Sequence, residues 1–167
     1  ENLSFIKLLF IRGDKRKKIL QEVESQIKRY KKIYNEKFIK IDGHEHVHII
    51  PWILKHLIKI KKKYNIVEFR NPNEIFMTPT FEDLFKYKYY RNLMAFFVLK
   101  FLYYYQGRPQ LTKTQFSGMI YSGVQNINTV SKSIDFLKKI KCKNFEIVLH
   151  PGFTNSKKIK LFKNNYY

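Results

Sequence analysis

The sequence has a single cysteine, Cys142, which excludes an internal disulfide and points to a reducing, cytoplasmic compartment. Cys142 reads as a small core or surface thiol rather than a redox centre. Gly/Ser-rich and Pro-rich stretches are missing, and so is any fixed-period repeat, which excludes an evident linker or solenoid and leaves one domain over 1–167. No long hydrophobic run is present. The most apolar segment, Leu93 to Tyr105, is broken by Lys100 and falls short of the ~20 residues a membrane span needs, so it reads as a buried or half-buried helix. The start, Glu1 to Ile11, has no positive opening, carries Lys7 inside its apolar stretch and offers no small-residue cleavage site, unlike a signal peptide.

Acidic residues are also scarce: 13 Asp and Glu stand against 33 Lys and Arg, a net charge of +20. On charge alone, nucleic acid or an anionic membrane surface would be candidate partners. Lysine far outnumbers arginine, however, and specific phosphate and base recognition leans on the planar fork of arginine. The lysines are spread from Lys7 to Lys163 rather than gathered in one stripe. A solvated lysine surface accounts for them, and no specific nucleic-acid partner is expected. The 44% hydrophobic and 17% aromatic content of these 167 residues is enough for a sizeable core.

The apolar pattern alternates helices and strands. Ile19, Val23, Ile27, Tyr30 and Ile33 or Tyr34 recur at helical spacing between Lys15 and Tyr34, after a Gly13-Asp14 start. Phe38 to Ile41 is a short β-prone run. Pro51 suits the first turn of a helix reaching about Tyr64, where its missing N–H costs nothing. A strand over Ile66 to Phe69 follows, then a helix from about Arg91 to Tyr105 and a short strand near Met119-Ile120-Tyr121. A helix from about Val130 to Lys139 and a strand from Phe145 to Leu149 complete the pattern. This order predicts an α/β fold with parallel strands, as a sheet or barrel, in which chemistry collects at the C-terminal strand ends.

Four of the five histidines, His44, His46, His48 and His150, fall just past predicted strands. If Asp42-Gly43-His44-Glu45-His46-Val47-His48 is extended, its alternating imidazoles point to one face and could share a divalent ion, with Asp42 or Glu45 completing or orienting the site. The competing explanation is a set of histidines that stabilise loops. On spacing alone the reaction stays open, because His-x-His strand ends serve several unrelated metallohydrolases.

The flanking residues narrow it. Asp42-Gly43-His44-Glu45-His46-Val47-His48-Ile49-Ile50-Pro51 resembles the Asp-Ser-His-x-His-Val-His-x-x-Pro motif of the YdjC-like carbohydrate deacetylases, the family of chitooligosaccharide deacetylases and their hopanoid-biosynthesis relatives. Three other segments agree in order: Glu24 to Tyr30, Phe116-Ser117-Gly118 to Tyr121-Ser122-Gly123, and Glu146 to Phe153. The resemblance implies a (β/α) barrel-like fold and metal-dependent removal of N-acetyl groups from amino sugars. It places His44 on a metal-binding histidine and His150 on a histidine that acts as general acid toward the leaving amine. Magnesium is the implied ion, with zinc or manganese as alternatives. Arg70 and Glu74 fall on a family Arg and Glu, as substrate contacts or as ordinary ion-pairing residues. His46 and His48 then become neighbours that shape the pocket.

The chain also departs from the family. The Asp-Asp strand end and the His-Leu segment, which bring further ligands and the base, have no counterpart before His44. Asn155 stands where an aspartate is usual. The expectation is an incomplete barrel, the central to C-terminal part of such a domain without its N-terminal metal-ligand segment. Three functions follow: a deacetylase of amino sugars or chitooligosaccharides, a different His-x-His metallohydrolase, or a catalytically inactive fragment or basic module binding anionic polymer or carbohydrate. The expected partner is a small carbohydrate substrate. No membrane span is expected, and a homo-oligomer is compatible with the sequence.

Overall fold

Parallel strands need a crossover between them, and this chain supplies two. The computed structural model describes residues 5–76, 84–85, 87–106, 114–123 and 125–149. Its elements run α1 (Phe5–Phe10), α2 (Gly13–Tyr34), β1 (Ile39–Ile41), a 3-10 segment (His44–Ile49), α3 (Pro51–Tyr64), β2 (Ile66–Phe69), α4 (Tyr87–Tyr105), β3 (Gln115–Ser117), α5 (Ile127–Lys139) and β4 (Phe145–Ile147). β1 pairs in parallel with β2 across α3, and β3 with β4 across α5. The class is therefore α/β, built on two short β-α-β units. Among the described residues no backbone ladder joins the two pairs; side chains link them.

In the first unit, Ile53, Leu54, Leu57, Ile60 and Tyr64 form the buried stripe of α3. Pro51 opens this helix and Asn65 closes it in the left-handed conformation, its N–H reaching the Lys61 and Lys62 carbonyls. The stripe packs on Ile39, Ile66 and Phe69 of the strands and on Ile27 of α2, forming the larger core. Ile19 and Val23 join it from α2, as their spacing predicts. The last turn of α2 does not: Tyr30, Ile33 and Tyr34 are exposed, so the predicted stripe ends at Ile27.

The second unit departs further from the sequence reading. The expected strand at Met119-Ile120-Tyr121 is a turn, and the strand lies earlier, at Gln115–Ser117. Gly118, at φ +120, ends it by leading the chain away from β geometry. An added Cβ there would sit 2.6 Å from the Val148 carbonyl oxygen, so the turn needs glycine. α5 starts at Ile127 rather than near Val130, because Asn126 caps it. The Asn126 side chain accepts from the Thr129 N–H and the Thr129 hydroxyl accepts from the Asn126 N–H, both at 2.9 Å. α4 also begins four residues before the predicted Arg91. One face of it buries Tyr89 and Phe96 against Ile120 and Tyr121 in a smaller second core. Among the described residues no helix is long and apolar enough to cross a membrane.

Candidate functional site at the strand ends

Asp42 follows β1, Arg70 follows β2, and Phe116 and Glu146 lie on β3 and β4. Arg70 gathers them. Its Nε donates to Glu146 Oε1 at 2.7 Å and its Nη2 to Oε2 at 3.2 Å, a two-pronged grip that matches the carboxylate plane. Its Nη1 donates to Asp42 Oδ2, and the guanidinium lies 5.6 Å from the centre of the Phe116 ring. One cation therefore ties the end of the first β-α-β unit to the second. Gln115 adds a neutral link, its Nε2 donating to the Asn73 carbonyl at 3.0 Å.

The histidine segment is not extended. Glu45 (φ 49°) and His46 (φ 59°) are both left-handed, and the chain coils as 3-10 turns from His44 to Ile49. Two such non-glycine residues in succession cost about 1–2 kcal/mol each, so surrounding contacts must hold them. The coil breaks the alternation that would have pointed three imidazoles at one ion. His44 is exposed, His46 half-buried and His48 fully buried, with the His46 and His48 ring centres 6.2 Å apart.

His48 is a structural clamp. Its Nδ1 accepts the Gly43 N–H at 2.9 Å, which leaves the ring proton on Nε2, and that nitrogen donates to the Arg70 carbonyl at 2.8 Å. Both ring nitrogens are occupied, and burial pushes its pKa down. The clamp demands close approach: a Cβ on residue 43, where the family motif has serine, would sit 2.9 Å from the His48 backbone nitrogen. His46 packs edge-on against Phe116 with 5.2 Å between ring centres, and its Nδ1 is buried without a partner. Burial, with His48 beside it, lowers its pKa to about 4, so it is neutral at physiological pH.

Glu74 lies outside the Arg70 cluster. It is fully buried; Oε1 accepts the Gly118 N–H at 2.6 Å and the Ser117 hydroxyl at 3.2 Å, and Oε2 accepts the Ile120 N–H at 3.0 Å. Burial pushes its pKa up, and these donors oppose the shift. It holds the turn after β3 rather than facing a substrate. His150 and Asn155 lie outside the described residues. Sequence reasoning missed Glu146 and Phe116 as members of the cluster. The available signal was parity: Glu146 shares strand alternation with His150.

Among the described residues no three His, Cys, Asp or Glu side chains come together to hold a metal. The donor chemistry explains this. Asp42 and Glu146 are engaged by Arg70, Glu74 by the β3 turn, and His48 by two backbone groups. Of the described histidines His44 alone is exposed, and the neighbouring Glu45 is exposed as well, so this segment offers an imidazole and a carboxylate and not a full set. A groove of about 560 Å³ lined by Arg16, Glu24, Lys28 and His56 shares no residue with this cluster.

A family model described as YdjC-like protein matches residues 4–166. No curated protein and no solved structure matches the chain.

Two substitutions test the geometry. Arg70→Lys keeps the charge but loses the fork, and it is expected to lower unfolding free energy by about 1–3 kcal/mol in urea titrations. Glu74→Ala strands three buried donors and is expected to cost roughly 2–4 kcal/mol. Because the folded pKa of Glu74 is raised, the folded chain binds its proton more tightly than the unfolded chain does. The wild type's advantage over Glu74→Ala is therefore fully present below the ordinary value of 4.5 and shrinks as pH rises through the raised folded value. Parallel urea titrations across that window read this slope.

Proposed function

The chain belongs to the YdjC-like family, which is associated with carbohydrate deacetylase activity, and on that premise we propose that it is a metal-dependent hydrolase removing N-acetyl groups from amino sugars or chitooligosaccharides. The observation that carries this reading is the match over residues 4–166 together with an exposed His44 at the C-terminal end of β1, where parallel α/β folds hold their reactive groups. In this reading His44 is a metal ligand, and the remaining donors lie outside the described residues. The ion is magnesium, or zinc or manganese in its place, and when bound it polarises an amide carbonyl and activates water.

The chain's own residues have separable tasks. His150 protonates the departing sugar nitrogen, a step that imidazole suits because its ordinary pKa lies near neutrality. Arg70 fixes Asp42 and Glu146, and the clamp on His48 sets the turn from which His44 projects. His46 packs edge-on against the buried Phe116 beside that turn and supports it. The reaction takes place in the cytoplasm, in keeping with the single cysteine.

The two backbone hydrogen bonds of His48 argue against the form of the alternative in which His48, rather than His44, is the essential ligand of another His-x-His enzyme; the other form relies on His46. The absence of a full donor set among the described residues favours, as the second reading, an inactive carbohydrate-binding relative. Acetate release from small chitooligosaccharides with added magnesium, zinc or manganese separates them. His44→Ala is expected to abolish both metal uptake and release, and His150→Ala to slow release by about 10²–10⁴-fold with metal uptake intact. Release that survives both substitutions refutes the assignment, and sugar binding without any release supports the inactive reading.

A further inference from the structure

The groove between α2 and α3 is about 560 Å³, within the ~300–1,000 Å³ range of small-molecule sites. Along α2, Arg16, Leu20 and Glu24 follow one another at one-turn intervals, with Lys17 and Gln21 beside them, and His56 of α3 stands across from Glu24. Leu20 is the only apolar side chain in the lining, so the groove suits a polar ligand. Glu24 is its only carboxylate, and that charge is already neutralised. Oε2 accepts the Tyr64 hydroxyl at 2.7 Å and Lys63 Nζ at 3.2 Å, and these two bonds hold its pKa below the ordinary value.

Arg16 is the opposite case. Its guanidinium lies 4.9 Å from the centre of the Trp52 ring and its Nη2 donates to the Ile11 carbonyl at 2.9 Å, which fixes its plane. Among the described residues, no carboxylate lies within ion-pair distance of Arg16 or Lys17. Arg16 Nε is buried without a hydrogen-bond partner, and so is His56 Nε2, which stands 3.4 Å from Glu24 Oε1 without the alignment of a hydrogen bond. Four buried side-chain atoms lack a partner among the described residues, and two of them belong to this groove. Buried polar atoms are nearly always paired in proteins, so their concentration here marks a place where a polar ligand is accommodated.

We propose that this groove binds a small phosphate ester, with Arg16 and Lys17 on the phosphate and Gln21 and Ser25 toward hydroxyl groups of its organic part. The site is separate from the Arg70 cluster and does not rest on the deacetylase reading. A phosphomonoester carries about −1.5 to −2 at neutral pH, which matches two unpaired cations, whereas a single carboxylate leaves one of them unmatched. A guanidinium whose fork is not taken by a carboxylate is the side chain best shaped for phosphate. Bare phosphate leaves most of the volume unused, and an apolar ester meets only Leu20. From Arg16 to Glu24 is eight residues, about 12 Å of helix, which is room for a phosphate and a small hydroxylated body.

Trp52 is the chain's only tryptophan, so its emission reports on Arg16 directly. Ribose 5-phosphate is titrated into the full chain at fixed ionic strength, with ribose and inorganic phosphate in parallel. The expected result is a saturable change in Trp52 emission, with inorganic phosphate binding at least about tenfold more weakly and ribose giving no change. Lys17→Gln, at an exposed position that leaves the Trp52 contact in place, is expected to raise the dissociation constant about five- to tenfold, and Arg16→Gln at least about tenfold. Lys28→Gln removes the same charge from the same groove, but more than three turns beyond Arg16, and is expected to change it less than about twofold. If Arg16→Gln loses the wild-type circular dichroism spectrum, the comparison of Lys17→Gln with Lys28→Gln decides. The absence of a saturable response overturns the proposal, and so does inorganic phosphate binding as tightly as the ester. Equal weakening by Lys17→Gln and Lys28→Gln assigns the response to diffuse surface charge and equally overturns it.

Discussion

One guanidinium sits where the two halves of the described chain meet. The β-α-β units have separate parallel ladders, and Arg70 joins them by gripping Glu146 on β4 while holding Asp42 at the end of β1. Its charge offsets the repulsion between the carboxylates of Asp42 and Glu146 at this end of the fold. Arginine suits the position because its planar fork can satisfy one carboxylate with two nitrogens and still present a third to another. The Phe116 ring beneath the cation supplies the remaining wall.

The backbone of Arg70 matters as much as its side chain. Its carbonyl receives the Nε2 proton of His48, whose other nitrogen accepts from Gly43. That pair of bonds turns the segment after β1 back on itself and helps offset the cost of two left-handed residues, Glu45 and His46. A histidine that looks like a metal ligand in sequence thus becomes neutral scaffolding. The consequence for function is selective. The turn that consumes His48 is the same one that leaves His44 facing solvent, so a single local conformation distributes the histidines between structure and chemistry.

Much of the fold was legible. α3, with Pro51 at its start and a buried stripe at helical spacing, occupies the predicted span, and β2 does as well. These elements obey local rules. The errors arose where a distant group decides the backbone. The run at Met119 to Tyr121 has strand-like residues, but Glu74, more than forty positions earlier, captures the Gly118 and Ile120 N–H groups that a strand would have used. The histidine alternation failed for a related reason: period-two reasoning presumes extended backbone, and the Gly43 to His48 bond removes it. The pairing of Arg70 with Glu146 spans 76 positions, and no local pattern announces it. The early start of α5, by contrast, was readable from Asn126 and Thr129 and was missed.

The central claim is that the three clustered histidines are chemically unequal, with His44 free to bind and His48 locked. Long-range ¹H–¹⁵N correlation spectra of the histidine rings, recorded with and without a divalent ion, test it directly. The account predicts a His48 ring fixed as the neutral Nε2–H tautomer and unmoved by the ion, while the His44 ring shifts on its addition. A His48 ring that responds to metal, or that exchanges between tautomers while His44 stays silent, would contradict it.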